Sequence, residues 1–551
     1  MPTRTAEVWC LVAGVLACSS SGFAASWRLN DDAHRNVSDF FFGPDGGVTL
    51  VANAPRPDMF PFWKVPLAGG ANTLVTEATR EGLQYSGLYK LTADEQYLIV
   101  RQSDHPDNGD LWSIRLADGA VKRLTFDNKA GGAYDDSRFS LTPDSKHVIY
   151  VSRTVPGVES QLFSVPVDGS SLPLQLSTPH PYGSNTTQIS LSPDGRSVYY
   201  ASDQIVDGRF DLFRVAPEGG GSTRVNDTPG FVGIYRFSPD GSSLAYLTNG
   251  GTPAGKQRLV AKSLVTGVET LVSSNLPATS NVDRYFQFTS DNSRVVYQAD
   301  SQAVSRLELF AAPVAGGPSV PLSGLPVGAS HVGNWALPAE SAGPNALVGF
   351  STYDLNRQVR LFVNSLDGGE PRLLGTLGTP GGNVVSHHLQ MSKSGDLLFV
   401  FVDVTAYTDL VYAFPTDGSG GFEYFGPIEE FLLHPDGKHV VYAREESSGN
   451  TSHHLYWEPL DRSAPPLRIS DEDGYPDIGR LEWSPDGQHV VYMRVGSNEW
   501  KDIYVAAVPV PEPTAAWLLM AAAAIASSTL NRLAMYGRCH CSRPREWQPH
   551  P

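Results

Sequence analysis

An all-β fold, a β-propeller of about ten four-stranded repeats, is what this sequence predicts, and three observations predict it. The chain of 551 residues carries 53 glycines and 41 prolines, more punctuation than a helical protein tolerates. A turn phrase of the form Ser-Pro-Asp-Gly returns about every 50 residues. After each phrase the same strand patterns follow in the same order.

The phrase is clearest in Ser238-Pro239-Asp240-Gly241. It returns as Gly43-Pro44-Asp45-Gly46, Thr142-Pro143-Asp144-Ser145, Ser192-Pro193-Asp194-Gly195, His434-Pro435-Asp436-Gly437 and Ser484-Pro485-Asp486-Gly487. Worn copies stand at Thr92-Ala93-Asp94-Glu95 and Thr289-Ser290-Asp291-Asn292. The gap between Asp291 and Asp436 holds three periods, so two degenerate copies are expected, near Gly343-Pro344-Asn345 and at Lys393-Ser394-Gly395. In each copy proline sets φ, aspartate bonds nearby amides and glycine takes φ > 0, which describes a tight hairpin turn.

The run after the turn, such as Val148-Ile149-Tyr150-Val151 or Val490-Val491-Tyr492-Met493, is apolar on both faces, as a strand sandwiched between sheets must be. A third strand follows with an aromatic or aliphatic pair, as in Gln161-Leu162-Phe163-Ser164-Val165 and Asp211-Leu212-Phe213-Arg214-Val215. Then come a glycine turn (Asp168-Gly169, Gly316-Gly317, Gly368-Gly369) and a fourth strand of the type Lys122-Arg123-Leu124-Thr125. Four strands make one blade.

The last unit stops after its third strand, near Val508, while Trp27-Arg28-Leu29-Asn30-Asp31-Asp32 reads as a fourth strand without a blade, like Thr223-Arg224-Val225-Asn226-Asp227. Pairing Arg28–Asp31 with Ile503–Val508 would satisfy both orphan edges and close one ring over residues 26–508. The competing arrangement is two smaller propellers divided within 325–390.

The formal net charge is −17, which repels phosphate backbones, so no nucleic-acid partner is expected. Cys10 and Cys18 lie near one end, Cys539 and Cys541 near the other, and no cysteine stands between. A disulfide framework, a thiolate zinc site and a cysteine nucleophile are therefore excluded for the propeller.

The two ends read as addresses. Residues 1–25 carry Arg4, an apolar run from Val8 to Ala17 and small residues up to Ala24 and Ala25, a signal peptide cleaved near those alanines. In a variant reading Val15-Leu16-Ala17-Cys18 is a lipobox and Cys18 is lipidated. Residues 509–551 hold Pro511-Glu512-Pro513, an apolar transmembrane segment over 515–530, then Arg532, Arg538, Arg543 and Arg545. The apolar run alone would suit a plain tail anchor; with the Pro-Glu-Pro triplet in front, the end resembles a PEP-CTERM sorting signal. That resemblance implies an exosortase-type enzyme as partner, membrane contact before processing, and display on the cell surface, outer membrane or extracellular matrix of a Gram-negative-type bacterium.

The repeats over 26–508 resemble the TolB-like repeats of TolB and of the propellers that accompany prolyl oligopeptidases. A peptidase relative would need a hydrolase domain with Gly-x-Ser-x-Gly, and the chain has no such motif. His147, His439 and His489 each stand three residues after a turn aspartate, which places them on second strands. His387-His388-Leu389-Gln390 and His453-His454 are less regular, and the first is loosely similar to the histidine and glutamine metal site of TolB-like oligogalacturonate lyases. Adjacent strand residues face opposite ways, so at most one histidine of each pair can join a site. Acidic loops at 103–110 and 470–477 carry carboxylates that could surround calcium, without the glutamate that closes an EF-hand. No catalytic residue and no cofactor is assigned. The reading is a non-catalytic exported surface protein whose propeller binds protein or polysaccharide; the alternative is a metal-dependent lyase or hydrolase acting on acidic oligosaccharides.

Overall fold

The computed structural model describes residues 26–509 apart from short segments, of which 126–138 is the longest. The expected signal peptide, Cys18, the triplet Pro511-Glu512-Pro513 and the span 515–530 lie outside the described residues, as do Pro44-Asp45-Gly46, Pro106-Asp107 of the first acidic loop and 471–476 of the second. Among the described residues no helix is long and apolar enough to cross a membrane.

The described residues form antiparallel sheets, eight of four strands and one of seven. Numbered along the chain, the blades begin with inner strands Val37–Phe42, Tyr85–Leu91, Ser140–Leu141, Thr186–Leu191, Val232–Phe237, Val282–Phe288, Val332–Ala336 and Ser386–Met391 for blades 1 to 8, and Asp477–Trp483 for blade 10. Blade 9 shares with blade 8 the strand Phe422–Leu433, which fuses two blades into the seven-stranded sheet. Only Gly426-Pro427 stands where other blades have a connecting loop, so the fourth strand of blade 8 runs on as the inner strand of blade 9. The sequence expectation of separate units gives way there.

The turn explains the motif. Ser238 Oγ donates to Asp240 Oδ1 at 2.7 Å, Asp240 Oδ1 accepts the N–H of Ser242 at 2.9 Å, and Ser238 Oγ accepts the N–H of Ser243 at 2.9 Å. The same three bonds recur at Thr142 with Asp144 and at Ser484 with Asp486. The fourth position is left-handed, with φ between 68° and 72° at Gly195, Gly241, Gly437 and Gly487. Where glycine is replaced, Glu95, Ser145 and Asn292 take the same conformation at 53°, 59° and 62°. Two of these side chains reach the preceding blade's turn: Ser145 Oγ accepts the N–H of Asp94 at 3.0 Å and Asn292 Oδ1 that of Asp240 at 3.1 Å. Turn thus touches turn around one face of the ring. The copy expected at Lys393-Ser394-Gly395 is a turn with a left-handed glycine; the one expected near Gly343 falls a few residues earlier, at Pro338-Ala339-Glu340, where Pro338 lies against Gly395 as Pro143 does against Gly195, while Pro344 and Asn345 lie outside the described residues.

Second strands are buried on both faces, as at His489–Val495. In six blades an aromatic on the second strand stacks on one directly opposite on the third, from Tyr150 on Phe163 to Tyr492 on Tyr504, with centroids 5.4–5.7 Å apart. The core lies between blades. Ile149 and Leu162 of blade 3 pack on Val198 and Tyr200 of blade 4, Val296 of blade 6 on Val348 and Phe350 of blade 7, and Val359 of blade 7 on Leu398 of blade 8. Packing is therefore continuous through 325–390, and two separate rings are ruled out.

The ring closes at the N-terminal strand. Ser26–Arg28 pairs antiparallel with the third strand of blade 10, Lys501–Ala507, in the register Ser26↔Ala506, Trp27↔Val505 and Arg28↔Tyr504. The expected pairing is present, with the strand itself ending at Arg28 and the next two residues continuing the contact through other bonds. Asn30 Oδ1 accepts the N–H of Ile503 at 2.8 Å and its Nδ2 donates to Asp502 at 2.7 Å, as Asn226 does with Leu212 and Asp211 in blade 4. Val37, Phe40 and Val48 of blade 1 complete the seam against Val491, Ile503 and Val505.

Candidate functional site

The inner strands line the central channel, and most carry a β-bulge midway. In blades 5, 6 and 7 the register shifts between Val232 and Tyr235, Val282 and Phe286, and Val332 and Trp335. A bulge breaks the in–out alternation and re-aims side chains. In blade 6 it leaves the neighbours Arg284 and Tyr285 both exposed, Tyr285 to 52 % although large and aromatic.

These strands bound a cleft of about 1070 Å³. Arg236, Tyr285, Gln287, Asn334 and Trp335 line it, with His331 and Tyr353 at one end. Arg236 lies 5.8 Å from the Phe286 ring centroid and Arg284 lies 5.3 Å over Tyr285. Asp283, also on the lining, accepts the N–H of Arg284 at 2.8 Å. The cleft thus offers amide donors and acceptors, one guanidinium, one carboxylate and open aromatic surface.

His387 lies behind this wall, 4 % exposed. Its Nε2 is 2.8 Å from Ser351 Oγ and its Nδ1 3.2 Å from the Tyr353 hydroxyl, so both ring nitrogens are engaged within the protein. Burial pushes the Tyr353 hydroxyl pKa up, which keeps it a neutral partner. His388 faces the other way, exposed and stacked on Phe401 at 4.1 Å, and Gln390 is exposed on the same side. His387 and Gln390 therefore do not share a face. His454 is buried, 3.4 Å from Ser470 Oγ, with His453 half-buried beside it. As expected, only one member of each pair points inward.

One cluster escaped the sequence reading: His434, Asp436 and His439 place their ligand atoms within 4.8 Å of one another. Its signal was present, since His434 takes the serine position of the turn and His439 follows the turn aspartate by three. His434 Nε2 meets the Gly487 carbonyl oxygen at 2.8 Å, which requires the proton there, and Nδ1 accepts the N–H of Asp436 at 3.1 Å. His439 Nδ1 is 2.7 Å from Asp436 Oδ2, and its ring stacks on Trp457 at 4.5 Å. His434 thus caps the turn differently from serine: the His439 N–H, which serine would accept, goes to Asp436 Oδ1 at 3.2 Å. His489 is likewise a second-strand residue, its pKa lowered by burial against the pull of Asp486.

Across the channel a second cleft of about 800 Å³ lies beside the seam. There Arg480 of blade 10 pairs with Asp39 of blade 1, lies 4.6 Å over Phe40, and donates its backbone N–H to Glu430 of blade 9 at 3.1 Å. Tyr89 donates its hydroxyl to Asp39. Burial raises the Glu430 pKa, and the Arg480 amide opposes it. These groups satisfy one another across four blades.

No family model matches the chain, and no curated protein does. Solved structures do. An oligogalacturonate lyase from Vibrio parahaemolyticus is 13 % identical over 68 % of this chain and 96 % of its own, with a TM-score of 0.32. TolB from Acinetobacter baumannii is 14 % identical over 57 % and 68 %, at 0.26. A prolyl endopeptidase is 14 % identical over 68 % and 55 %, at 0.35. With scores this low, none of them bears on what this chain does. The architecture stands on its own sheets: the molecule is a closed ten-bladed β-propeller with a cleft in its channel wall. Its four-stranded repeat and its turn phrase are similar to those of TolB-like propellers.

Proposed function

We propose that this chain is a non-catalytic exported protein whose propeller binds protein or polysaccharide. The observation that carries the reading is the channel-wall cleft, which has hydrogen-bonding and aromatic surface, while the nearest buried histidine is held by Ser351 and Tyr353. Propellers host many functions, so the site and not the fold supports it. Binding is tested by presenting the purified propeller to glycan and protein arrays with calcium and with EDTA. Retention of a ligand, unchanged and in both conditions, is expected; EDTA-sensitive cleavage of oligogalacturonate would establish the lyase reading instead.

Export and sorting belong to the same proposal. The order Pro511-Glu512-Pro513, apolar 515–530, arginines supports recognition by an exosortase-type enzyme, because the prolines keep a helix of the span from extending back through Glu512. Mass spectrometry of the mature protein should find a C-terminus close to Pro513, and replacing both prolines with alanine should retain the tail. Recovery of a wild-type peptide covering Ala515–Arg532 would reduce the tail to a membrane anchor.

A further inference from the structure

We propose that the cleft on blades 5 to 7 is a binding site for a neutral oligosaccharide, with Tyr285 and Trp335 as its stacking platforms. This rests on the binding role just proposed and names the class of ligand for it.

Four observations converge on that class. Tyr285 is 52 % exposed on the channel wall even with Arg284 over its ring, and Trp335 is half-buried on the adjacent inner strand. A flat apolar face with polar groups around its edge matches the axial C–H face and equatorial hydroxyls of a pyranose ring. Beside the rings stand Gln287 and the exposed Asn334, whose side-chain amide already donates to the His387 carbonyl at 2.6 Å and keeps its oxygen as acceptor. On the lining Arg236 stands against Asp283, with Arg284 over the Tyr285 ring, while the chain as a whole carries −17, so a polyanion meets long-range repulsion from the molecule. The volume, about 1070 Å³, lies just above the roughly 300–1,000 Å³ range of small-molecule sites, which suits several linked units rather than one.

A peptide strand is the other extended ligand that could lie along a channel wall. It would bind by adding to the free edge of an inner strand. All three inner strands here are bulged at mid-length, which breaks the regular spacing such pairing needs.

The test is calorimetric titration of the purified propeller with gluco-, manno- and galacto-tetrasaccharides and with tetragalacturonate. It compares wild type with Tyr285→Ala, Trp335→Ala and the remote Leu172→Ala, Leu172 being 81 % exposed in blade 3. At least one neutral tetrasaccharide should bind, and losing either ring should weaken it about tenfold. Leu172→Ala should bind as wild type, and Tyr285→Ala, whose side chain contributes little to the core, should melt as wild type, whereas Trp335→Ala also trims the core between blades 6 and 7 and should melt somewhat lower. Equal affinity in all four proteins, or tighter binding of tetragalacturonate, overturns the site. Failure of every saccharide overturns it too, while a defined protein ligand found on the array would leave the broader binding role standing. Turnover of a saccharide would instead sink the broader role.

Discussion

Gly195 and Gly208 take the same left-handed conformation, at φ 69° and 71°, in different surroundings. A Cβ on Gly208 would meet nothing within 4 Å, whereas one on Gly195 would lie 2.4 Å from Cδ of Pro143, in the preceding blade's turn. Forcing an alanine into that backbone costs about 1–2 kcal/mol at either site. Only Gly195 adds a clash with a proline ring that cannot move aside. Gly195→Ala should therefore lower the thermal midpoint clearly more than Gly208→Ala. Equal losses would show that the turns do not bear on one another around the ring.

The strand Ser26–Arg28 is short, yet it and the Asn30 that follows supply the outer edge of blade 10. Asn30 is 2 % exposed, and Asp502 and the Ile503 amide are buried with it. Replacing Asn30 with alanine leaves those groups without that partner, at about 1–3 kcal/mol for an unsatisfied buried group. Deleting 26–32 removes the strand, the Asn30 bonds and the Trp27 indole N–H donated to the Leu67 carbonyl of blade 1 at 3.1 Å. The expected result is one cooperative melt shifted down, modestly for Asn30→Ala and strongly for the deletion. A midpoint unmoved by the deletion would count against closure by this strand.

Over the whole ring, the repeat multiplies small ionisation effects. Hydrogen bonds from Ser192, and first the Ser242 amide at Asp240, hold the carboxyls of Asp194 and Asp240 below the ordinary 3.8. At Asp291 burial pushes upward but is outweighed by Thr289, Ser293 and the Gly343 amide, and the pKa falls to about 2. Carboxyls lowered in the folded state stabilise it above pH 3.8 and lose that contribution as pH falls toward 2. Tyrosines act at the other end: burial pushes Tyr150 and Tyr235 up and carries Tyr297 to about 12. A hydroxyl raised in the folded state stabilises it fully below pH 10 and loses that contribution above it. Circular dichroism should thus hold between about pH 4 and 10 and decline on both sides. On the alkaline side tyrosinate absorbance at the buried rings should rise with unfolding. Full ionisation of all tyrosines near pH 10 with unchanged dichroism would contradict the stacked, buried pairs.

What the sequence by itself determined was whatever is decided within about ten residues. Ser, Pro, Asp and Gly at fixed offsets specify the turn through local bonds, apolar runs specify sandwiched strands, and adjacency places His387 and His388 on opposite faces. Counting those units also revealed the orphan strand at Trp27, because a missing fourth strand and a spare one are visible in a tally. Only the tertiary structure decided what neighbouring blades bring together. The cleft shared by three inner strands and the Arg480–Asp39 pair across the seam join residues one period or the whole ring apart, and the bulges that expose Arg284 beside Tyr285 depend on how each inner strand pairs with the next. A bulge shifts side chains by one position with no mark in the alternation, and the ring's curvature sets which strands face one another. So the blades were legible while the cleft was not.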